Sequence, residues 1–354
     1  MEANPVAIRV LVVDDSAFMR QIITKMLQAD PRVQVIGTAM DGQDGLDKVK
    51  ALNPDVVTLD LEMPRMNGLE CLKFIMAEHP CPVVIVSSLA KEGAEQTLQA
   101  LELGAVDFVT KPSSRPSDVL WDMETQLLNK VIAASKAVVR GKTGQPVSPV
   151  KVGGFTRRRG KNLPLILGIG ASTGGPRAIQ SVLAALPADF PVGVVIAQHM
   201  PKGFTNVFAQ RLNANCLINV KEAQDGDLVK PGLALVAPSG YQTEVVVKGT
   251  EFMVAISEQE QIYRPSVDIL FNSLAKSTGR QTVAVLLTGM GADGAKGLKA
   301  LRDLGARTIS EAEESCVVYG MPRVAKELGA AEFTLALPHI PGKIMELIQE
   351  SVLA

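Results

Sequence analysis

Short apolar runs alternate along the chain with stretches in which apolar residues recur every three or four positions. In the first third the runs are IRVLVV, VQVIGTA, DVVTL, PVVIVS and AVDFVT, each of strand length and rich in valine and isoleucine. The segments between them carry helical spacing, so five strand-helix units in a doubly wound parallel sheet are predicted. After Lys111-Pro112, the stretch DVLWDMETQLLNKVIAASKAVV keeps helical spacing and supplies a closing helix. From Leu163 the alternation resumes, with a strand in LPLILGIG, a helix in PRAIQSVLAALP, a strand in VGVVIAQ and a helix in FTNVFAQRL. Short strands LALVAPSG and TEVVVKG follow, then a helix SVDILFNSLAK, a strand TVAVLLT and further alternation to the C-terminus. The whole reads as a second doubly wound α/β domain with a parallel sheet and a small antiparallel insert. No fixed-period repeat is present.

Composition agrees with two cores. The chain has 354 residues, 47% hydrophobic and 21% charged, with only 4% aromatic, a balance of globular α/β proteins rather than of disordered chains. Between the two patterned halves lies GKTGQPVSPVKVGGFTRRRGKN, rich in Gly, Pro and cations. No acidic residue occurs from Thr125 to Ala188. The expected organisation is therefore a first domain at 1–125, a linker at 126–162 that starts helical and becomes basic, and a second domain at 163–354. The formal net charge of −1 gives no general attraction to nucleic acid or membrane. No apolar run approaches bilayer length, and the N-terminus lacks the order of a signal peptide, so a cytoplasmic protein without membrane insertion is expected. Cys71, Cys81, Cys216 and Cys316 form no close pair and read as free thiols.

Ligands of open α/β sheets collect at the carboxyl ends of strands. In the first domain these ends carry Asp14-Asp15, Asp60, Ser87 and Lys111. Clustered carboxylates suit Mg²⁺, an Asp can act as a nucleophile toward phosphorus, and a lysine and a hydroxyl can pair with phosphoryl oxygens. The segments VLVVDDSAFMR, LDLEMPRMNGLE, VVIVSS and FVTKP resemble the receiver domain of bacterial two-component response regulators over roughly residues 7 to 125. That resemblance implies a flavodoxin-like (βα)5 fold, with Asp60 as phosphoacceptor and Asp15 and Asp60 as Mg²⁺ ligands with Asp14 nearby. It further implies Ser87 as switch hydroxyl, Lys111 as phosphate-pairing cation, a cis Lys111-Pro112 bond and a histidine kinase as phosphodonor.

In the second domain, Gly170 to Gly174 fits G-x-S-x-G, a strand-to-helix turn that raises a serine hydroxyl above the sheet. The same residues also suit a plain helix start, with Ser172 or Thr173 capping it. A nucleophilic serine needs a base, and the histidines are His79, His199 and His339. His79 belongs to the first domain and His339 sits between prolines, whereas His199 leaves an apolar strand at the expected sheet edge. A carboxylate to orient the imidazole is found in Asp293, on the glycine-rich turn after TVAVLLT. That turn also matches G-x-G-x-x-G through Gly289, Gly291 and Gly294, with Glu311 and Glu313 about 20 residues on, where a dinucleotide site places an acidic ribose ligand.

The segments GASTGGP, QHMP, RPSVDILFNS and TGMGADGAKG resemble the catalytic domain of the chemotaxis protein-glutamate methylesterase family, usually called CheB, over residues 163 to 354. The resemblance implies a phosphorylation-activated serine hydrolase with Ser172 as nucleophile, His199 as general base and acid, and Asp293 as orienting carboxylate. It implies methanol release from glutamate γ-methyl esters on the cytoplasmic helices of chemoreceptors, deamidation of receptor glutamines, and no cofactor for hydrolysis. Oxyanion donors are expected at the backbone N–H groups of Thr173 and Met290. A receiver covering the active-site face until Asp60 is phosphorylated is likewise implied. A DNA-binding output is disfavoured, because the Arg157 to Arg159 cluster lies in a linker with no helix-turn-helix pattern after it. Arg264 to Asp268 either border the cleft or cap the helix that follows.

Overall fold

The structure, a computed structural model, describes residues 7–88, 90–111, 117–137, 139 and 166–353. Its chain divides into two compact units, Met1–Pro146 and Val147–Ala354.

In the first unit, strands β1 (Ile8–Val13), β2 (Val33–Ala39), β3 (Val56–Asp60), β4 (Val83–Ser87) and β5 (Asp107–Thr110) alternate with helices. The helices are α1 (Ala17–Gln28), α2 (Gly42–Leu52), α3 (Gly68–Glu78), α4 (Lys91–Leu103) and α5 (Ser117–Ala134). The sheet order is β2-β1-β3-β4-β5 and every neighbouring pair is parallel. Strands β3 and β4 are buried along their full length, as expected of a sheet covered on both faces. Helix α5 is the closing helix expected from the spacing after Pro112. Its Met123, Leu127 and Val131 keep that spacing and are buried.

The second unit is built on seven strands: β6 (Ile166–Ala171), β7 (Gly193–Gln198), β8 (Asn219–Glu222), β9 (Leu233–Val236), β12 (Thr282–Leu286), β13 (Arg307–Glu311) and β14 (Phe333–Leu335). Their order is β14-β13-β12-β6-β7-β9-β8, parallel throughout. The antiparallel insert is the hairpin of β10 (Gln242–Lys248) and β11 (Glu251–Ser257). LALV, read from sequence only as one of the short mid-section strands, belongs to the main sheet as β9. Helices α6 (Gly175–Ala184), α7 (Phe204–Asn215), α8 (Val267–Ser277), α9 (Ala295–Asp303), α10 (Met321–Glu327) and α11 (Ile340–Leu353) complete the unit. Leu270, Phe271 and Leu274 of α8 and Leu298 and Leu301 of α9 pack with Ile166, Ala197, Ala284 and Leu286 in one buried core. Central strand β6 lies between β12 and β7, so the carboxyl ends of these three strands are neighbours.

Candidate active site

Backbone hydrogen bonds continue the sheet beyond these strand ends and fix the loops that leave them. Leu287 N donates to Gly170 O at 2.9 Å, Ser172 N to Thr288 O at 3.0 Å and His199 N to Ala171 O at 3.1 Å. Ser172, His199 and the loop leading to Asp293 thus leave the sheet side by side.

His199 Nε2 lies 2.7 Å from Asp293 Oδ2. Nδ1 of the same ring is buried and has no hydrogen-bond partner among the described residues. Asp293 is itself held at the start of α8, whose N–H groups are aimed at it. Val267 N donates to Oδ2 at 2.7 Å, and Asp268 N and Ser266 Oγ donate to Oδ1 at 3.0 and 2.9 Å. Burial acts to raise the pKa of Asp293, but the His199 contact and the α8 amides outweigh it and hold the carboxyl below its ordinary value. Ser266 also caps α8, accepting from Ile269 N at 3.4 Å. The Arg264 to Asp268 segment therefore borders the cleft and caps the helix at once.

The N-cap of α6 is Gly174, which makes no side-chain cap hydrogen bond. Ser172 Oγ makes no hydrogen bond among the described residues, so its hydroxyl is not spent on structure. Gly289 presses against it: a Cβ at 289 would fall 2.7 Å from Ser172 Cβ and 2.3 Å from Met321 Sδ. That close approach brings the following residue, Met290, beside the serine turn. Gly294 has another use. It precedes α9 with φ 86°, and a Cβ there would fall 2.5 Å from Val267 Cγ1, so its bareness serves the packing of α9 on α8 rather than access for a pyrophosphate. Glu311 is fully buried and accepts from Thr288 N at 2.8 Å and Ser315 Oγ at 2.9 Å, which removes it as a ribose ligand. Burial pushes its pKa up.

Two supports were not legible in the sequence. Gln198 is buried, and its Nε2 donates to Ser172 O at 2.9 Å and His199 O at 2.8 Å, joining the two turns. Its signal was a single amide at the end of an otherwise apolar run. Thr288 Oγ1 donates to Thr173 O at 3.0 Å, so Glu311 and Thr288 together brace the serine turn from behind.

In the first unit, Lys111 Nζ lies 2.6 Å from Asp60 Oδ2 and 2.9 Å from Asp14 Oδ2. Asp14 and Asp60 are buried. Burial pushes the Asp60 carboxyl up to about 6, against the lowering charge of Lys111. Burial also works against the charge of Lys111, and the two carboxylates more than offset it, so the lysine pKa rises. Asp14, Asp15 and Asp60 bring ligand oxygens within 4.8 Å of one another. That donor set fits a hard divalent cation. Ser87 Oγ donates to Gly93 O at 3.2 Å. The Lys111-Pro112 bond involves Pro112, which lies outside the described residues, as does the basic stretch at 141–162.

The CheB methylesterase model matches residues 167–344 and the response regulator receiver model matches residues 10–119. The chain belongs to the CheB methylesterase family. Protein-glutamate methylesterase/protein-glutamine glutaminase of Halalkalibacterium halodurans is 49% identical over 325 residues, 90% of this chain and 92% of the relative. The enzyme of that name from Symbiobacterium thermophilum is 49% identical over 357 residues, 97% of this chain and 98% of its own. The crystal structure of the Thermotoga maritima CheB methylesterase catalytic domain matches with TM-score 0.51 and 39% identity, covering 52% of this chain and 98% of that one. This CheB-family chain is an enzyme, a hydrolase joined to a receiver domain, and the fold agrees with both assignments. Among the described residues no helix is long and apolar enough to cross a membrane.

Proposed function

We propose that this chain hydrolyses glutamate γ-methyl esters on chemoreceptor cytoplasmic helices, and deamidates receptor glutamines there, under control of phosphorylation at Asp60. In this reading the receiver is followed by a linker and by a catalytic domain from residue 163 onward. The observation that carries it is the His199 to Asp293 pair at 2.7 Å, formed at the strand end next to the one that leads into Ser172.

Ser172 Oγ attacks the ester carbonyl as His199 Nδ1 takes its proton. The carbon–oxygen π pair moves onto the carbonyl oxygen, where the N–H groups of Thr173 and Met290 receive it. One such donor is commonly worth about 10²- to 10³-fold in rate. Asp293 stabilises the imidazolium through Nε2. As the carbon–oxygen bond to the methoxy group breaks, Nδ1 returns the proton and methanol leaves. Water repeats these steps to free the glutamate and restore Ser172. With a glutamine side chain the leaving group is ammonia and the machinery is unchanged.

At the receiver end, Asp60 accepts a phosphoryl group from the histidine kinase, Lys111 pairs with its oxygens, and the Ser87 hydroxyl turns from Gly93 O toward them. Asp14, Asp15 and Asp60 would hold Mg²⁺, which when bound supplies positive charge to the phosphoryl oxygens. The test is methanol release from carboxyl-methylated chemoreceptor membranes. Release should vanish in Ser172→Ala and rise when a small phosphodonor and Mg²⁺ are added. Release that persists in Ser172→Ala overturns the reading.

A further inference from the structure

Tyr263 stands in the segment between β11 and α8, and no sequence signal singled it out. Its ring is stacked on the imidazole of His199, with centroids 4.2 Å apart and planes inclined by 5°. The segment around it is clamped from two sides. Gln242, fully buried, donates from Nε2 to Tyr263 O at 2.8 Å and accepts at Oε1 from Ser266 N, also at 2.8 Å. Gly240 N donates to Arg264 O at 3.0 Å. At the far end of the ring, the phenol oxygen would lie 3.3 Å from a Cβ on Gly291, whose φ is 86°. The tyrosine is thus held by buried partners on one side and by the glycine loop on the other, with its face laid flat against the base.

We infer that Tyr263 is a positioning residue for His199, acting through the face of its ring. This rests on the proposed serine hydrolase. Two contacts define the imidazole: Asp293 from the loop after β12 holds Nε2, and Tyr263 from the loop after β11 covers one face. The edge contact alone leaves the ring free to rock about the Nε2 to Asp293 line, which would swing Nδ1 away from Ser172. The stack removes that freedom. When Nδ1 takes the serine proton the ring becomes a cation, and the electron-rich face of tyrosine lies within the distance at which such a cation is attracted. Both effects act when the proton moves, so they belong to kcat rather than to substrate binding. The phenol hydroxyl takes no part, and phenylalanine should serve as well.

The test uses the full-length chain with Tyr263→Phe, Tyr263→Leu, Tyr263→Met and Ser172→Ala. Methanol release from methylated receptor membranes gives kcat and KM, and the rate of Ser172 labelling by a fluorophosphonate reports the serine–histidine pair without receptor. Tyr263→Phe should stay within about 3-fold of wild type in both assays, while Leu and Met lose about 3- to 30-fold in kcat and in labelling rate, with KM unchanged. Phe, Leu and Met variants that behave alike in either direction overturn the inference, as does a loss carried by KM. Loss of methanol release in wild type, with labelling still dependent on an aromatic residue at 263, overturns the receptor substrate while the pairing with His199 stands.

Discussion

Asp293 accepts from His199, from Ser266 and from two backbone amides of α8, so in the proposed mechanism a single charge serves both catalysis and the local fold. Asp293→Asn keeps the shape but turns an amide NH₂ toward groups that also donate. A loss of about 10³- to 10⁴-fold in kcat is expected, as for removal of the orienting charge in a triad. Loss below tenfold would show that the carboxylate does not act through His199. The folded pKa of Asp293 is depressed, so its contribution to stability is present above the ordinary carboxylate range and is lost as pH falls through the folded value. Gly289→Ala is predicted to reduce kcat by at least about tenfold, since the new methyl would meet Ser172 Cβ at 2.7 Å. Circular dichroism should show the fold retained, and full activity of this variant would remove the Gly289 loop from the site.

At the level of elements, helix termini and strand ends concentrate the charges. Ser266 caps α8 and holds Asp293 with the same hydroxyl. Ser266→Ala should cost about 0.5–2 kcal/mol of stability, read as a shift of a few degrees in the melting of the second unit, together with slower turnover. An unchanged melting point would mean that the cap contributes nothing. At the receiver strand ends the sign is opposite to that at Asp293. The folded pKa of Asp60 is raised to about 6, so the folded state holds more protons than the unfolded one between about pH 4 and 6. Its ionisation therefore weakens the receiver as pH rises through that window. Asp60→Asn should stabilise the receiver by of order 2 kcal/mol at pH 8 and by less at pH 5 in Mg²⁺-free denaturant melts. Equal gains at both pH values would refute the charge argument. Mg²⁺ should raise the wild-type transition more than that of Asp60→Asn.

For the whole molecule, each of the two compact units carries one proposed site, the first built from Asp14, Asp15, Asp60 and Lys111 and the second from Ser172, His199 and Asp293. A phosphoryl group adds close to two negative charges at Asp60, enough to rearrange local contacts. The expected outcome is that a small phosphodonor with Mg²⁺ accelerates methanol release by wild type and leaves Asp60→Asn at its basal rate. Acceleration of Asp60→Asn would place the control elsewhere.

Alternation of apolar runs, together with short motifs, was enough to read two parallel α/β sheets, the strand-end residues and the family, because a buried strand must be apolar along its length and its end is where polar groups begin. Helix α5 was legible from its spacing, and its buried face at Met123, Leu127 and Val131 repeats that spacing. The G-x-G-x-x-G match stayed ambiguous in one dimension, because glycines that admit a ligand and glycines that admit a neighbouring helix have the same letters. Tyr263 falls in none of the motifs read from the sequence, and the motifs that contain Gln198, Thr288 and Glu311 do not say what those side chains hold. Their roles depend on which backbone oxygen, amide or ring lies opposite them, and those partners are 1 to 115 residues away along the chain. Sequence periodicity determined the sheets and the order of their ends, whereas only the fold decided which nitrogen of His199 meets Asp293, since that choice rests on distances between segments that the chain alone does not relate.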